Sequence, residues 1–240
     1  MILYGRNPVR EALRGRRSKS VGEVWATSGA AREGWLEGLS VRVASAQEIE
    51  HRCGSPAHQG VCADAGPYPY VGSEELLRDP ETVLVALDQV QDPQNLGSIC
   101  RTAECAGAGG VVIPERRAAE VTPAACKASA GAVEHLAVAR VRNMADFLSE
   151  ARRAGFWCYG ASARSGAGGR APVPYEVPDY GGSGVVLVLG SEGSGLRPRV
   201  SDACDELIAL PVHGRIESLG VSAAAAAILY EILQRRAGRP

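Results

Sequence analysis

Apolar positions divide the chain into two kinds of pattern. From about residue 82 onward, short apolar runs alternate with stretches of helical period. Thr82–Leu87, Gly110–Ile113, Leu136–Val141, Phe156–Ala161, Val185–Leu189 and Glu206–Val212 predict strands. Asn95–Gly107, Thr122–Glu134 and Met144–Gly155 predict the helices between them, and Ser218–Arg236 a long final helix. Continuous apolar strands separated by helices imply an α/β fold with a parallel sheet covered on both faces.

Residues 1–70 alternate in shorter pieces. Asn7-Pro8 predicts a helix start, with Asn7 as cap and Pro8 as first helical residue, running to about Gly15. Val21–Thr27 reads as a strand, Ala30–Leu39 as a helix and Val41–Ala44 as a short strand. Ser45-Ala-Gln-Glu48 is a capping box opening a helix that stops near Gly54, and Gly60–Ala63 is a last strand. The stretch Pro67–Thr82 carries prolines and acids without a sustained period. The expected organisation is a small α/β unit over 1–70, a connection over 71–82 and a larger unit over 83–240.

The final helix stands apart, because Ala223–Ala227 followed by Ile228, Leu229, Ile232 and Leu233 is apolar nearly all round. Such a helix is buried in the fold or against another subunit. The run Ala223–Tyr230 is far shorter than the ~18–20 residues of a membrane span.

Composition changes little in this picture. Hydrophobic residues make up 45% and charged residues 22%, and the net charge is −1, so bulk charge favours no partner. Its distribution does: residues 1–20 hold Arg6, Arg10, Arg14, Arg16, Arg17 and Lys19 against the single acid Glu11. A basic patch on a near-neutral protein suits phosphate. The seven cysteines include no Cys-x-x-Cys pair and no zinc spacing, so no metal is expected. With no signal-peptide pattern at the N-terminus, the expected setting is the reducing cytoplasm.

Three stretches place polar residues and glycines where a strand gives way to a loop or helix, the edge at which open α/β sheets bind ligands. They are Asp88–Ala103, with Asp92-Pro93-x-Asn95-x-Gly97-x-x-x-Arg101, then Leu187–Leu196, with Gly190-Ser-Glu192-Gly-Ser-Gly195, and Leu210–Ser222. The glycine spacing is not G-x-G-x-x-G, and Pro198 follows where a Rossmann helix should be under way. No P-loop or G-x-S-x-G elbow occurs. The Gly-rich stretch Ser165–Gly169 has no phosphate-cradle pattern. Asn95 and Ser98 could each cap the helix they open.

Together the three stretches resemble the motifs of the SpoU/TrmH-type (SPOUT) RNA 2′-O-ribose methyltransferases, and the likeness extends over nearly the whole chain. The opening Tyr4–Leu13 and the turn His58-Gln-Gly-Val61 resemble the N-terminal substrate-binding domain of the branch that methylates a guanosine ribose in 23S ribosomal RNA. The resemblance implies a ribosomal-protein-like RNA-binding domain followed by a trefoil-knotted parallel-sheet methyltransferase domain. It implies S-adenosylmethionine as cofactor and a homodimer formed through the last helix. Carried over by position, Gly190, Leu210 and Leu219 hold the cofactor, while Asn95, Arg101, Glu192 and Ser218 form the catalytic pocket. Arg6, Arg10, Arg14, Arg16 and Arg17 would meet ribosomal RNA or, alternatively, tRNA. A guanidinium with a pKa above ~12 is a poor base, so Arg101 is expected to act as a cation, with Glu192 orienting either Arg101 or the ribose. One position departs from the family pattern: Gly220 stands where its third motif usually has asparagine.

Overall fold

The computed structural model describes residues 1–162, 170–215 and 219–237. The first unit holds β1 (Ile2–Tyr4), α1 (Arg6–Ala12), β2 (Val24–Ala26), β3 (Val41–Val43), α2 (Ala46–Cys53) and β4 (Val61–Asp64). Its sheet runs in the order β1-β4-β2-β3. The capping box at Ser45 forms as the sequence dictates: Ser45 Oγ accepts from the Glu48 amide at 3.2 Å, and Glu48 accepts from the Ser45 amide at 2.7 Å. Gly54 ends that helix in the left-handed region.

Two expected helices are shorter or broken. α1 begins at Arg6 behind Gly5, so Asn7 is not its cap. Ala30–Leu39 forms two 3-10 turns, Ala30–Arg32 and Gly34–Leu36, rather than one helix.

The second unit contains α3 (Ser73–Leu76), β5 (Val83–Asp88), α4 (Pro93–Cys105), β6 (Gly110–Pro114), α5 (Pro123–Ala128), β7 (Val138–Val141), α6 (Met144–Arg153), β8 (Phe156–Ala161), β9 (Val173–Pro174), β10 (Gly184–Gly190), α7 (Pro198–Ala203), β11 (Glu206–Ala209) and α8 (Val221–Ala237). Its seven strands lie in the order β7-β6-β5-β10-β8-β11-β9, and every pairing is parallel. The segment expected as one helix over Thr122–Glu134 is broken after α5, where Ala130 (φ 52°) and Gly131 (φ 90°) turn the chain.

Alternation along the central strands explains the two covered faces. Val85 and Leu87 of β5, with Leu187 and Leu189 of β10, join the core shared with α4, α5 and α8. Leu84, Ala86, Val186 and Val188 point the other way, into the core shared with α6 and α7. Each fully buried aliphatic side chain stabilises by about 1.5–3 kcal/mol, which is why these runs carry no polar residue before their carboxyl ends.

The connection is not a free tether. Val71 bridges to Ala139, and Leu76 is buried in the second core. Tyr68 donates its hydroxyl to the carbonyls of Val133 and Leu136 at 2.8 and 3.0 Å. Leu3, Val9 and Val24 of the first sheet unit belong to the same apolar cluster as Val85 and Leu187.

Candidate active site at the carboxyl edge of the parallel sheet

β5 and β10 are neighbours, and their last residues, Asp88 and Gly190, are register partners. The chain reverses sheet direction here, since β6 lies on one side of β5 and β10 on the other. Ligands bind at such a switch point because the two connecting loops diverge and leave a crevice.

α4 starts from this edge. Asp92, not Asn95 or Ser98, is its cap: its side chain accepts from the Gln94 amide at 2.9 Å, with Pro93 at the first helical position. Asn95 is therefore free to reach outward, and its Nδ2 donates to Glu192 Oε1 at 3.1 Å. Glu192 is exposed on the loop after β10. That loop closes on itself through mutual backbone hydrogen bonds between Ser191 and Gly195, at 3.2 and 2.9 Å. A Cβ on Gly190 would sit 2.2 Å from the Gly195 carbonyl carbon, so only glycine allows the loop to fold back on its own strand.

Gly220 comes to the same place. A Cβ built on it would lie 3.7 Å from Glu192 Oε1, and its φ is +80°. The glycine that departs from the family pattern thus faces the Asn95–Glu192 pair in a backbone conformation that disfavours side chains. Nearby, Leu219 is 56% exposed and Val212 41% exposed. Leu210 is half-buried. Ser218 and residues 165–169 lie outside the described residues. β11 ends at Ala209, so Leu210–Val212 are loop rather than strand.

Arg101 is not part of this cluster. Six residues of α-helix place it about 9 Å along α4 and about 120° around it from Asn95. It is exposed and makes no hydrogen bond or ion pair among the described residues. Among the described residues the hydrogen-bond partner of Glu192 is Asn95. Arg101 instead lines a groove of about 420 Å³ between the two sheet units, together with Asn7, Arg10, Glu11, Glu104 and His135. In that groove Glu11 accepts from Arg10 Nε at 2.8 Å and meets His135 Nε2 at 2.9 Å. Burial raises the Glu11 pKa, but the His135 and Arg10 hydrogen bonds outweigh it and leave the carboxyl below its ordinary value.

The basic N-terminal residues divide. Arg17 is 1% exposed and paired with fully buried Glu134, its Nε donating to Oε2 at 2.9 Å. Burial lowers the guanidinium pKa, and Glu134 more than restores it. Arg17 is therefore withdrawn from the expected RNA contacts: it joins the two units, as does Lys127, which donates to Gln59 Oε1 at 2.9 Å. Gln59, from the turn His58–Val61, also accepts from the Arg6 amide at 3.1 Å. Arg14 is exposed, Arg6 pairs with Glu33 at 2.9 Å and Arg16 lies 3.7 Å from Glu75.

Two residues that sequence reasoning passed over complete the edge. Asp88, 0% exposed, accepts from the Arg197 amide at 2.9 Å and from its Nε at 2.8 Å. A carboxylate closing an otherwise apolar strand was the signal available for Asp88; nothing local pointed to Arg197. Pro198 does begin a helix, α7, as its first residue. No cluster of metal-ligating side chains occurs among the described residues.

Comparison with known proteins places the chain in a family. Residues 82–230 match the SpoU rRNA Methylase family, and residues 2–71 match the RNA 2'-O ribose methyltransferase substrate binding family. The "Putative TrmH family tRNA/rRNA methyltransferase" of Staphylococcus haemolyticus is 32% identical over 98% of this chain and 96% of its own. The crystal structure of an AdoMet-bound rRNA methyltransferase from Sinorhizobium meliloti superposes with a TM-score of 0.78 at 27% identity, covering 97% of this chain and 86% of that one. A TrmH/SpoU tRNA modifying enzyme of A. aeolicus, 27% identical, aligns with only 69% of this chain and 81% of its own, with a TM-score of 0.56. The chain belongs to the SpoU rRNA methylase family and is an RNA methyltransferase.

Proposed function

We propose that this protein transfers a methyl group from S-adenosylmethionine to a ribose 2′-hydroxyl of 23S ribosomal RNA, at a guanosine. The observation that carries the reading is the meeting of Asn95, Glu192 and Gly220, drawn from three separated motifs, at the shared carboxyl edge of β5 and β10. The glycine loop lets backbone approach the cofactor closely, and the exposed side chains of Val212 and Leu219 offer apolar surface for its adenosine. When bound, S-adenosylmethionine supplies an electrophilic methyl on a sulfonium. On this reading Gly190, Leu210 and Leu219 hold the cofactor, and Ser218 joins Asn95 and Glu192 at the reacting centre. The crossover between the second and third motifs is the family's trefoil knot.

Arg101 serves the RNA. As an exposed cation on the groove, it holds a phosphate beside the target ribose. The unit over 1–70 binds RNA, with Arg6, Arg10, Arg14 and Arg16 toward phosphates and the segment 71–82 fixing it against the catalytic unit. Ribosomal RNA is favoured over tRNA because the tRNA-modifying relative aligns with only part of this chain. α8 buries Ala225, Ile228 and Ile232 while Ala223, Ala227 and half-exposed Tyr230 face outward, a surface suited to a second copy of the chain. Seven free cysteines suit the reducing cytoplasm.

The test is transfer of labelled methyl to unmodified 23S rRNA and, separately, to bulk tRNA. Label on 23S rRNA alone, mapped to one ribose, is the expected result. Label on tRNA alone would reassign the substrate, and label on a base would overturn the 2′-hydroxyl assignment.

A further inference from the structure

Asp88 and Arg197 lie 109 residues apart, yet one carboxylate gathers three donors from the other residue. The Arg197 amide gives 2.9 Å to Oδ2, Nε gives 2.8 Å to Oδ1, and Nη2 lies 2.6 Å from Oδ1. The carboxylate is fully buried, whereas the Arg197 side chain is 43% exposed. Hydrogen bonds to a buried charge are strong because water cannot compete, and removing the partner strands the charge.

Position gives the pair its meaning. Asp88 is the last residue of β5, and the chain leaves it directly into the segment that carries Asn95. Arg197 directly follows the glycine loop that carries Glu192 and directly precedes α7. The loop is held at its start by β10, in register with Asp88, and at its end by Arg197, on the same Asp88. Between these anchors lies Glu192, reached by Asn95 at 3.1 Å.

We propose that Arg197 and Asp88 are positioning residues for methyl transfer: their ion pair fixes the glycine loop on the end of β5 and so sets both the cofactor-binding backbone and the Asn95–Glu192 contact. Neither touches the reacting atoms. The proposal rests on the reading of this edge as the S-adenosylmethionine site.

The experiment compares wild type with Arg197→Ala, Arg197→Lys and Asp88→Asn by amide hydrogen exchange, S-adenosylmethionine titration and methyl-transfer kinetics. Arg197→Ala is expected to speed exchange at Ser191–Arg197 while the amides of β5 stay protected. Cofactor Kd should rise about tenfold or more and kcat fall by up to about a hundredfold, as small misplacements of reacting groups cost. RNA affinity should stay within about twofold, since the groove at Arg101 is untouched. Arg197→Lys keeps the charge but not the two-pronged contact, so it should recover part of both losses. If Arg197→Ala does not fold, Arg197→Lys carries the test, with a Kd raised about threefold on a native spectrum. A folded variant with a loosened loop but wild-type Kd and kcat overturns the proposal, and so does unchanged loop exchange. A wild type that binds no S-adenosylmethionine overturns the functional reading itself, and the positioning claim with it; losses confined to the variants leave that reading standing.

Discussion

The two ends of α4 belong to one sequence motif and face different parts of the molecule. At the first turn, Asn95 reaches across to Glu192, and Gly220 closes the cluster. Toward the last turn, Arg101 opens onto a groove whose other wall is α1 of the first unit. The first end is built on loops tied to the sheet edge. The second is built on the packing of one unit against the other. A spacing of six on a helix is not a shared face, so a compact motif can serve two subsites. On the proposed function, the Asn95 end serves cofactor geometry and the Arg101 end serves RNA.

The sharpest way to break the comparison is to remove what holds the far wall of the Arg101 groove. Arg17→Ala leaves Glu134 buried without its partner and should cost about 3–5 kcal/mol. In a chain of this size that lowers Tm by about 10 °C, read by calorimetry. A shift below about 2 °C would mean that the pair contributes little to docking the units.

RNA binding sharpens the same contrast. Replacing Arg6, Arg10 and Arg14 by Ala should weaken RNA affinity and reduce the salt slope by about 0.9 for each phosphate no longer neutralised. Cofactor affinity should not change. An unaltered slope would place the RNA surface elsewhere. Arg17 is excluded from this set because its loss would act through folding.

A smaller effect is expected at Gly220. Its φ of +80° makes Gly220→Asn mildly strained, about 1 kcal/mol, with asparagine among the best-tolerated replacements. The added amide would approach Glu192, and methyl transfer should not fall. A large drop in activity would show that the cluster is tuned around the missing side chain.

What was legible in the sequence was local. The Ser45–Glu48 capping box and the apolar runs of β5, β8 and β10 follow from neighbours a few residues apart. The cluster of Asn95 and Glu192 was legible through motif order. Pairings set by the fold were not. Arg17 looks like one more surface arginine until Glu134, 117 residues later, is brought beside it. Arg197 gives no sign of Asp88. Backbone turns misled in a different way. Asn7-Pro8 has the composition of a helix start, yet Gly5 at φ +94° turns the chain earlier, and Pro8 fits the first turn because its missing N–H has no partner there anyway. Ala130 in the left-handed region, followed by Gly131, breaks an otherwise alanine-rich stretch.

The division of α4 into two subsites is tested most directly by measuring S-adenosylmethionine affinity and single-turnover methyl transfer side by side in Arg101→Ala and Asn95→Ala. The account predicts that Arg101→Ala binds cofactor within about twofold of wild type while transfer falls by about a hundredfold or more. Asn95→Ala should lose cofactor affinity along with rate. An Arg101→Ala variant that loses cofactor affinity as Asn95→Ala does, or one that transfers methyl at the wild-type rate, would contradict it.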